Sequence, residues 1–576
     1  MCGILGLIHK SDYTISLDYF KKINNYNLHR GPDNQSAIEL NISKYNLKLG
    51  HTRLSIQDLS EKASQPMKSF TERFLISFNG EIYNHLELRQ NPELKKFNNW
   101  KTNSDTETLV NLFEFYNFSQ VLDIIEGMFS FTLIDFKNKF IYFGRDLAGE
   151  KPLYIHFNNV FIAAASDLNT IKNLPMFEKK INNSALKSFL EYNYIPSPDT
   201  IFNNTYKLPA ASYLKINLEK FSFKKINNFN LLKNDNFVTF NYWWKVKKNN
   251  INLSQLNKYE VEEITHKKIK NSIKKQLISD VPLGAFLSAG IDSSLIVSIM
   301  QELQNNTKTF TIGYEDKQYD ESFQSKKIAE YLSTDHVSYK FSNSDIINFI
   351  KNSNNVFSEP FADSSQLPTL LVSKLAKEKV KVVLTGDGGD ELFGGYNRYI
   401  YANKFWKIYK SIIPIIKKPF IKYLIKHSPI FFYKIINHIM NLNLSKNSIE
   451  KILHKSNYIT NELTYYNSLI KEWNLNDNII NIISDSSIDN RIENIFGNDE
   501  YNFEEKMMVS DFLNYLPDDI LCKVDRSTMY YSLESRAPFL SRDVVELAFN
   551  LPIKYKLHKG ESKLILKKIL SQYLPE

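Results

Sequence analysis

A cysteine stands second in the chain, in "MCGILGLIHK", and is one of only two among 576 residues. Three chemistries are open to it. It is a small apolar residue opening a strand, as most free cysteines are, or a lipid-attachment site. Or it becomes the N-terminal residue once Met1 is removed and acts as a nucleophile with its own α-amine as base. Two further stretches bring together groups that could react. "FLSAGIDSS" (286–294) reads as a strand, a small-residue turn and a helix start, where outward backbone N–H groups and the helix dipole favour an anion. Ser288, Ser293 and Ser294 add hydroxyls there. An ordinary strand–helix turn explains that stretch as well, and no G-x-x-x-x-G-K-S/T loop of the Walker type occurs. "LTGDGGDELFGGY" (384–396) crowds Asp387, Asp390 and Glu391 among glycines at another strand end. Such carboxylates repel one another unless a cation is present, and Mg²⁺ bridges carboxylates to phosphate oxygens. The plainer reading is an acidic surface turn. A phosphate site and a metal site on one sheet suggest an enzyme of nucleoside triphosphates.

The elements around these stretches fall into two rhythms. In the first half, 74–84, 127–136, 139–146 and 160–167 are apolar or alternating runs bounded by turn residues, which predict strands. Between them, "SDTETLVNLFEFY" (104–116) has helical spacing and opens on a capping box, Ser104 or Asp105 followed by Glu107 or Thr108. In the second half, short buried strands at 281–288, 307–314 and 379–387 alternate with helices at 293–304, 321–332 and 367–377. That alternation predicts an open parallel sheet with its ligand at the carboxyl ends of the strands. From about Tyr399 onward the pattern is helical. An Asn- and Lys-rich stretch, 216–257, reads as the linker between a first domain at 2–215 and a second at 258–576. No internal repeats occur.

Composition narrows the classes further. A 43% hydrophobic and 23% charged chain of this length is a soluble protein with more than one core. The 72 basic and 63 acidic side chains give +9, but lysines are spread evenly and no arginine cluster with aromatics marks a nucleic-acid groove. Two cysteines cannot build a disulfide framework, so the expected location is a reducing cytoplasm. The apolar run 4–8 stops at His9-Lys10 with no charged region before it and no cleavage site after it. The lipid-attachment reading of Cys2 falls with the absent signal peptide. No run of about 18 apolar residues predicts a membrane span. The nearest candidate, 404–427, is broken by Pro414, Pro419 and lysines and reads as helices.

The S-x-G-x-D-S turn at 288–293 resembles the pyrophosphate-binding motif of ATP pyrophosphatases, which cleave ATP to AMP and pyrophosphate. With "TGDGGDELFGGYNRY" (385–399), "LPDDILCKVDRSTM" (516–529) and "LESRAPFL" (533–540), it is similar to the synthetase domain of glutamine-hydrolysing asparagine synthetases. The first half carries that family's motifs in order: "MCGI", "HRGPD" (29–33), "HTRLSIQD" (51–58), "FNGEIYN" (78–84), "SDTE" (104–107) and "GRDLAGEKPLY" (144–154). The resemblance covers nearly the whole chain. It implies an α/β protein: an N-terminal αββα sandwich of the N-terminal-nucleophile type, then a parallel-sheet ATP-pyrophosphatase domain with an added helical part.

The resemblance also assigns roles. Cys2 attacks the glutamine side-chain amide after Met1 is removed. A free α-amine, titrating near 8, suits a thiol of pKa about 8.5 as its base. Asn79 and Gly80 match the oxyanion hole, Arg53 the clamp on the glutamine α-carboxylate, and Asp105 the group holding its α-amine, with Glu81 nearby. For ATP, Leu287 and Ile312 match backbone contacts, and Thr385 and Gly386 the loop near the ribose and α-phosphate. Ser288, Gly290, Asp292 and Ser293 match the pyrophosphate site. Asp292 and Asp390 would hold Mg²⁺. Asp387 occupies the acidic position tied to acyl-adenylate formation, and Lys563 that of a lysine stabilising charge in adenylation and amidation.

The implied cycle hydrolyses glutamine at Cys2 and adenylates a carboxylate acceptor with ATP. Ammonia then passes through an apolar interdomain passage to the adenylate. The partners are small molecules: glutamine, ATP and, in the leading reading, aspartate, with a homodimer as the one candidate assembly. Uronic acids of bacterial surface-polysaccharide assembly are a rival acceptor, and a non-catalytic glutamine-binding relative is a rival of another class. The chain departs from the family pattern at Ala289, where a glycine is usual, at Ser541, where "PFLD" ends in Asp, and at Leu147-Ala148 before Gly149. It also stops at "SQYLPE", before the basic and aromatic stretch with which most relatives continue, so the expectation is a truncated form or a dispensable tail.

Overall fold

The structure is a computed structural model that describes residues 1–575 apart from 14, 96, 98, 235–236, 249–252, 316–319, 417–458 and 473–489. In the first half two antiparallel six-stranded sheets face each other. One runs Thr205–Lys207, Tyr154–Phe157, Phe161–Ala165, Cys2–Lys10, Tyr45–Arg53, Asn34–Ile42. The other runs Val238–Tyr242, Ser212–Asn217, Phe140–Arg145, Gly127–Asp135, Phe74–Ile82, Met67–Lys68.

The strand Cys2–Lys10 explains the layering. Its period of two sends Ile4 and Ile8 into the core between the sheets, with Leu75, Ile134 and Phe143. The alternate residues Leu5 and Leu7 face outward onto Phe20 and Ile23 of the helix Leu17–Asn24. The second sheet does the same: Ile76 and Phe78 pack against Leu109, Leu112 and Phe113 of the helix Asp105–Phe115. Strands buried on both faces read as continuous apolar runs, and the product is the αββα sandwich. The expected capping box forms only in part. Ser104 caps Thr106 N–H, while the Glu107 carboxylate accepts from the Lys101 and Thr102 N–H groups at 2.9 and 2.8 Å.

The expected linker 216–257 needs correcting. Val238–Tyr242 pairs with Ser212–Asn217 as an edge strand, and Leu218, Phe221, Phe223, Ile226, Phe229 and Leu232 are buried in the inter-sheet core. Apolar side chains spaced among Asn and Lys supply that core, so the first domain extends through Tyr242. Asn257 then caps the helix Lys258–Gln276 in a capping box with Glu260.

The second half holds a five-stranded parallel sheet, in the order Asp335–Lys340, Lys308–Gly313, Leu283–Phe286, Val382–Leu384, Glu534–Arg536. The chain leaves Leu283–Phe286 in one direction and returns on its other side as Val382–Leu384. These two strands flank the switch point where open α/β sheets bind ligands. The helices Ile291–Leu303, Ser322–Leu332 and Gln366–Lys377 lie close to the spans expected from spacing. Beyond Tyr399 the described residues are largely helical, including Asn397–Ile416 and Leu521–Tyr530, while 417–427 of the apolar candidate lies outside the described residues. Among the described residues no helix is long and apolar enough to cross a membrane.

Buried charge joins the halves. The Arg30 guanidinium donates to both Asp525 oxygens at 2.8 and 2.9 Å, and its Nε donates to the Cys2 carbonyl at 3.2 Å. Next to it, Arg526 donates to Asp167 at 2.6 Å. Leaving one partner of such a pair unmatched in the interior costs about 3–5 kcal/mol, whereas apolar replacement of both is often neutral. Asp525→Ala should therefore lose stability on that scale in urea unfolding followed by tryptophan fluorescence. The double change Arg30→Met with Asp525→Leu should recover most of the loss; equal losses would show that the pair contributes nothing specific.

Candidate functional site

Two sites lie on either side of this seam. At the first, strand register does the positioning. Cys2 pairs with Arg53 across the sheet, and Asn79 and Gly80 pair with Ser130 and Phe129 on the facing sheet. The Cys2 backbone nitrogen donates to Asn79 Oδ1 at 2.9 Å, and Asn79 Nδ2 donates to Ser130 Oγ at 3.5 Å. Gly80 is held against its neighbour strand so closely that a Cβ would lie 2.1 Å from the Met128 carbonyl oxygen. Burial pushes the Cys2 thiol up, offset in part by the Met1 ammonium, the Leu54 N–H and Arg53.

Arg53 is held by the loop that follows it, donating to the Ser60 carbonyl at 2.7 Å and to that of Asp58. Asp105, at the start of its helix, accepts from Ile82 N–H at 2.8 Å, just beyond Gly80 and Glu81. Gln57 donates to Glu81 at 2.6 Å. Burial first, then Asp105 and Glu534, raise the Glu81 carboxyl well above the usual range. Cys2, Arg53, Asn79, Gly80, Glu81 and Asp105 thus gather at one end of the sandwich. Met1 precedes Cys2 here, and its ammonium meets Glu534 of the second half at 2.6 Å.

At the second site the two loops foreseen at strand ends touch. Ser288 and Ser293 close the turn through a 2.8 Å hydroxyl pair, and Ser288 Oγ accepts from Gly290 N–H at 3.2 Å. Gly290 precedes the helix Ile291–Leu303 with no side-chain cap, so its first N–H groups face outward. Ala289 adopts no positive φ, so the glycine usual there is not required by the backbone. The carboxylate loop needs its glycines: a Cβ on Gly386 would lie 2.9 Å from Asp292 Cβ, and one on Gly389 2.5 Å from Asp292 Cγ.

Lys563 closes the constellation. It takes a left-handed backbone, φ +52°, at the start of the helix Leu564–Leu570, and its ammonium bridges Asp292 at 2.5 Å and Asp390 at 2.6 Å. Burial pushes the Asp292 carboxyl up to about 6, against the pull of Lys563, and Asp292 Oδ1 is buried without a partner. Two carboxylates with an unsatisfied oxygen suit a hard divalent cation whose other ligands come from phosphate and water. Burial also raises the Asp387 carboxyl, with Lys523 opposing and Asp390 adding to the shift.

A cavity of about 650 Å³ opens over these loops, of a size that suits a small-molecule ligand. Its lining includes Leu287, Ser288, Gly290, Asp292, Ser293 and Ile312, and, from the second loop and beyond, Thr385, Gly386, Asp387, Asp390 and Lys563. The sequence missed other members. Lys523 reaches into the cavity, donating to Ser365 Oγ at 2.6 Å and Asp363 at 3.3 Å. Lys523 lies inside a stretch singled out above, but 363–365 carries no motif of its own. Glu534 and Arg536, also inside a quoted stretch, form a buried pair at 2.7 Å beside Met1.

The two halves of the chain match two family models. Residues 265–576 match the family model described as asparagine synthase, and residues 1–227 that of a glutamine amidotransferase domain. A Methanocaldococcus jannaschii protein bearing the name of a second, glutamine-hydrolysing asparagine synthetase is 33% identical over 558 residues, 92% of this chain and 98% of that one. Asparagine synthetase 1 of Bacillus subtilis, also glutamine-hydrolysing by name, is 29% identical over 589 residues, all of this chain and 85% of its own.

His51 offers a test of the first site's packing. It is buried beside Arg53, its Nε2 lies 3.1 Å from the Phe78 carbonyl, and burial pushes its pKa down to about 3. The folded imidazole stays neutral where the unfolded one, near 6.5, takes a proton. Stability should therefore fall as pH drops below about 6.5 toward 3, by about 1.4 kcal/mol per unit from this group. His51→Gln should flatten that part of the profile in urea unfolding measured from pH 7 to 4. An unchanged slope would mean that His51 already titrates normally in the fold.

Proposed function

The chain belongs to the asparagine synthase family, and from that premise we propose that it makes asparagine from aspartate, with glutamine as nitrogen donor and ATP as activating substrate. The observation that carries the proposal is that one chain holds Cys2 against Asn79 and lines a single cavity with the serine turn, Asp387 and Lys563.

In the first site Met1 is removed and the Cys2 amine takes the thiol proton. This base is needed because burial holds the thiol up. The sulfur attacks the glutamine side-chain carbon. Asn79 Nδ2 and the Gly80 N–H hold the oxyanion, Arg53 the α-carboxylate, and Asp105 with Glu81 the α-amine. Ammonia leaves, and water releases glutamate from the thioester.

In the second site Leu287 and Ile312 border the nucleotide, and Thr385 and Gly386 face its ribose and α-phosphate. Ser288, Gly290 and Ser293 take the departing pyrophosphate at the helix start. A Mg²⁺ ion held by Asp292 and Asp390 would neutralise phosphate charge. Lys563, already on both carboxylates, supplies positive charge as the aspartate carboxylate attacks the α-phosphorus. Asp387 faces the acyl-adenylate, which ammonia attacks at carbon as AMP leaves. Both cysteines are free, which suits a reducing cytoplasm.

The test follows pyrophosphate release with ATP, Mg²⁺, ammonium chloride and either aspartate or a panel of uronic acids. Aspartate should stimulate release; release with a sugar acid alone would refute the asparagine assignment. Cys2→Ala should lower glutamine hydrolysis by at least about a thousandfold while ammonia-driven release persists, since no neighbour replaces the thiolate. Asp387→Asn should do the reverse, abolishing release and leaving glutamine hydrolysis intact. Loss of both activities in either variant would contradict the division of labour.

A further inference from the structure

Between the two halves lies a cavity of about 80 Å³ that neither site uses. It is several times the space one water needs. Its lining gathers buried oxygens with no partner: Tyr83 Oη, Gln276 Oε1 and Ser541 Oγ. Tyr83 and Gln276 are 6% and 2% exposed. The Glu150 carboxyl lines the same space. Two of the chain's departures from the family pattern, Leu147 and Ser541, also meet there. With a hydroxyl at 541 rather than a carboxylate, the acids left on the lining are Glu126, Asp543 and Glu150. Glu126 is paired with Lys275 at 2.8 Å and Asp543 with Lys268 at 3.2 Å, while Arg542 donates to the Leu122 and Asp123 carbonyls. Glu150 is therefore the acid left to face an occupant.

The occupant must donate hydrogen bonds, because Gln276 Oε1 can only accept, as does the Glu150 carboxyl once it has lost its proton. It must donate in several directions at once. Water has two protons to give; ammonium has four. We propose that this cavity binds ammonium taken from solution through Tyr83, Gln276, Ser541 and Glu150, and that the Glu150 carboxylate removes one proton to release ammonia toward the Asp387 loop. In that step one N–H bond breaks, the pair stays on nitrogen, and the proton forms an O–H bond on Glu150. The inference rests on the synthetase reading, which gives the released ammonia its use.

Geometry supplies the direction. Leu540 lines the cavity and seats directly on Gly388, where a Cβ would lie 2.3 Å from Leu540 Cδ2. Asp387 is thus one side chain away. The surroundings of Glu150 suit the transfer. Burial, then Asp146 and Asp387, push its carboxyl up to about 8 against Lys151, and the Ala537 N–H donates to it. An exposed glutamate, near 4.3, would be far too weak a base for ammonium.

The experiment compares ammonium-driven with glutamine-driven pyrophosphate release in wild type, Glu150→Gln and Ser541→Ala. Losing one charge-assisted hydrogen bond and the base should lower the ammonium-to-glutamine ratio about tenfold in Glu150→Gln. Ser541→Ala, which removes a buried hydroxyl that has no partner and is safe for folding, should lower it about threefold. Unchanged ratios, or both activities falling by one factor, would overturn the proposal. A direct readout does not depend on turnover: crystals soaked in rubidium chloride, a cation of ammonium's size, should show an anomalous peak within about 3 Å of Tyr83 Oη and Gln276 Oε1. A cavity holding water alone would overturn it. A wild type that turns over with neither nitrogen source would fail the synthetase reading, and the rubidium result would still decide the cavity.

Discussion

The buried contact between Arg30 and Asp525 is the constraint on which the rest depends. Its bidentate geometry fixes the helix Leu521–Tyr530 against the first half, and its third donor fixes the Cys2 carbonyl. The same helix sends Lys523 into the cavity over the Asp387 loop two residues earlier and Arg526 onto Asp167 one residue later. One short helix therefore has the Cys2 strand on one face and the cavity of the second half on the other. Neither set of groups can shift without straining charges that have no access to water.

The second organising force is repulsion among carboxylates. Asp292 and Asp390 converge because glycines at 386 and 389 let the two loops meet, and Lys563 offsets their charge. The partial mismatch is visible in the raised Asp292 and Asp387 carboxyls. Phosphate chemistry uses such a site, since added positive charge there lowers the cost of binding a polyanion. Folding alone would favour fewer acids.

Much of this was legible in the sequence, for physical reasons that can be named. Strands such as Phe74–Ile82 are buried on both faces and so read as unbroken apolar runs. The chemistry-bearing loops stood out because glycines and carboxylates cluster there against composition. Other elements gave no signal. Asp335–Lys340 is an edge strand with an exposed, polar pattern, and Glu534–Arg536 spans three residues, too few for periodicity. Residues 218–242 hid eight core side chains among Asn and Lys. Taken alone, Lys563 looks like part of a solvated helix face; its left-handed backbone leaves no trace, because the residue that adopts it is a lysine and not a glycine. Lys523 acts through tertiary contacts with 363–365, a pairing that no local pattern encodes.

The seam also bears on how such a protein can be inherited. Arg30 and Asp167 on one half, and Asp525 and Arg526 on the other, are matched in sign and position. A glutaminase half recombined with a different ammonia-using partner would bring a buried cation and anion to a surface with no counterparts. Compatibility would require several substitutions together, each harmful until its mate arrived. The two halves are thus bound to descend as one lineage, and drift at one side of the seam must be answered from the other.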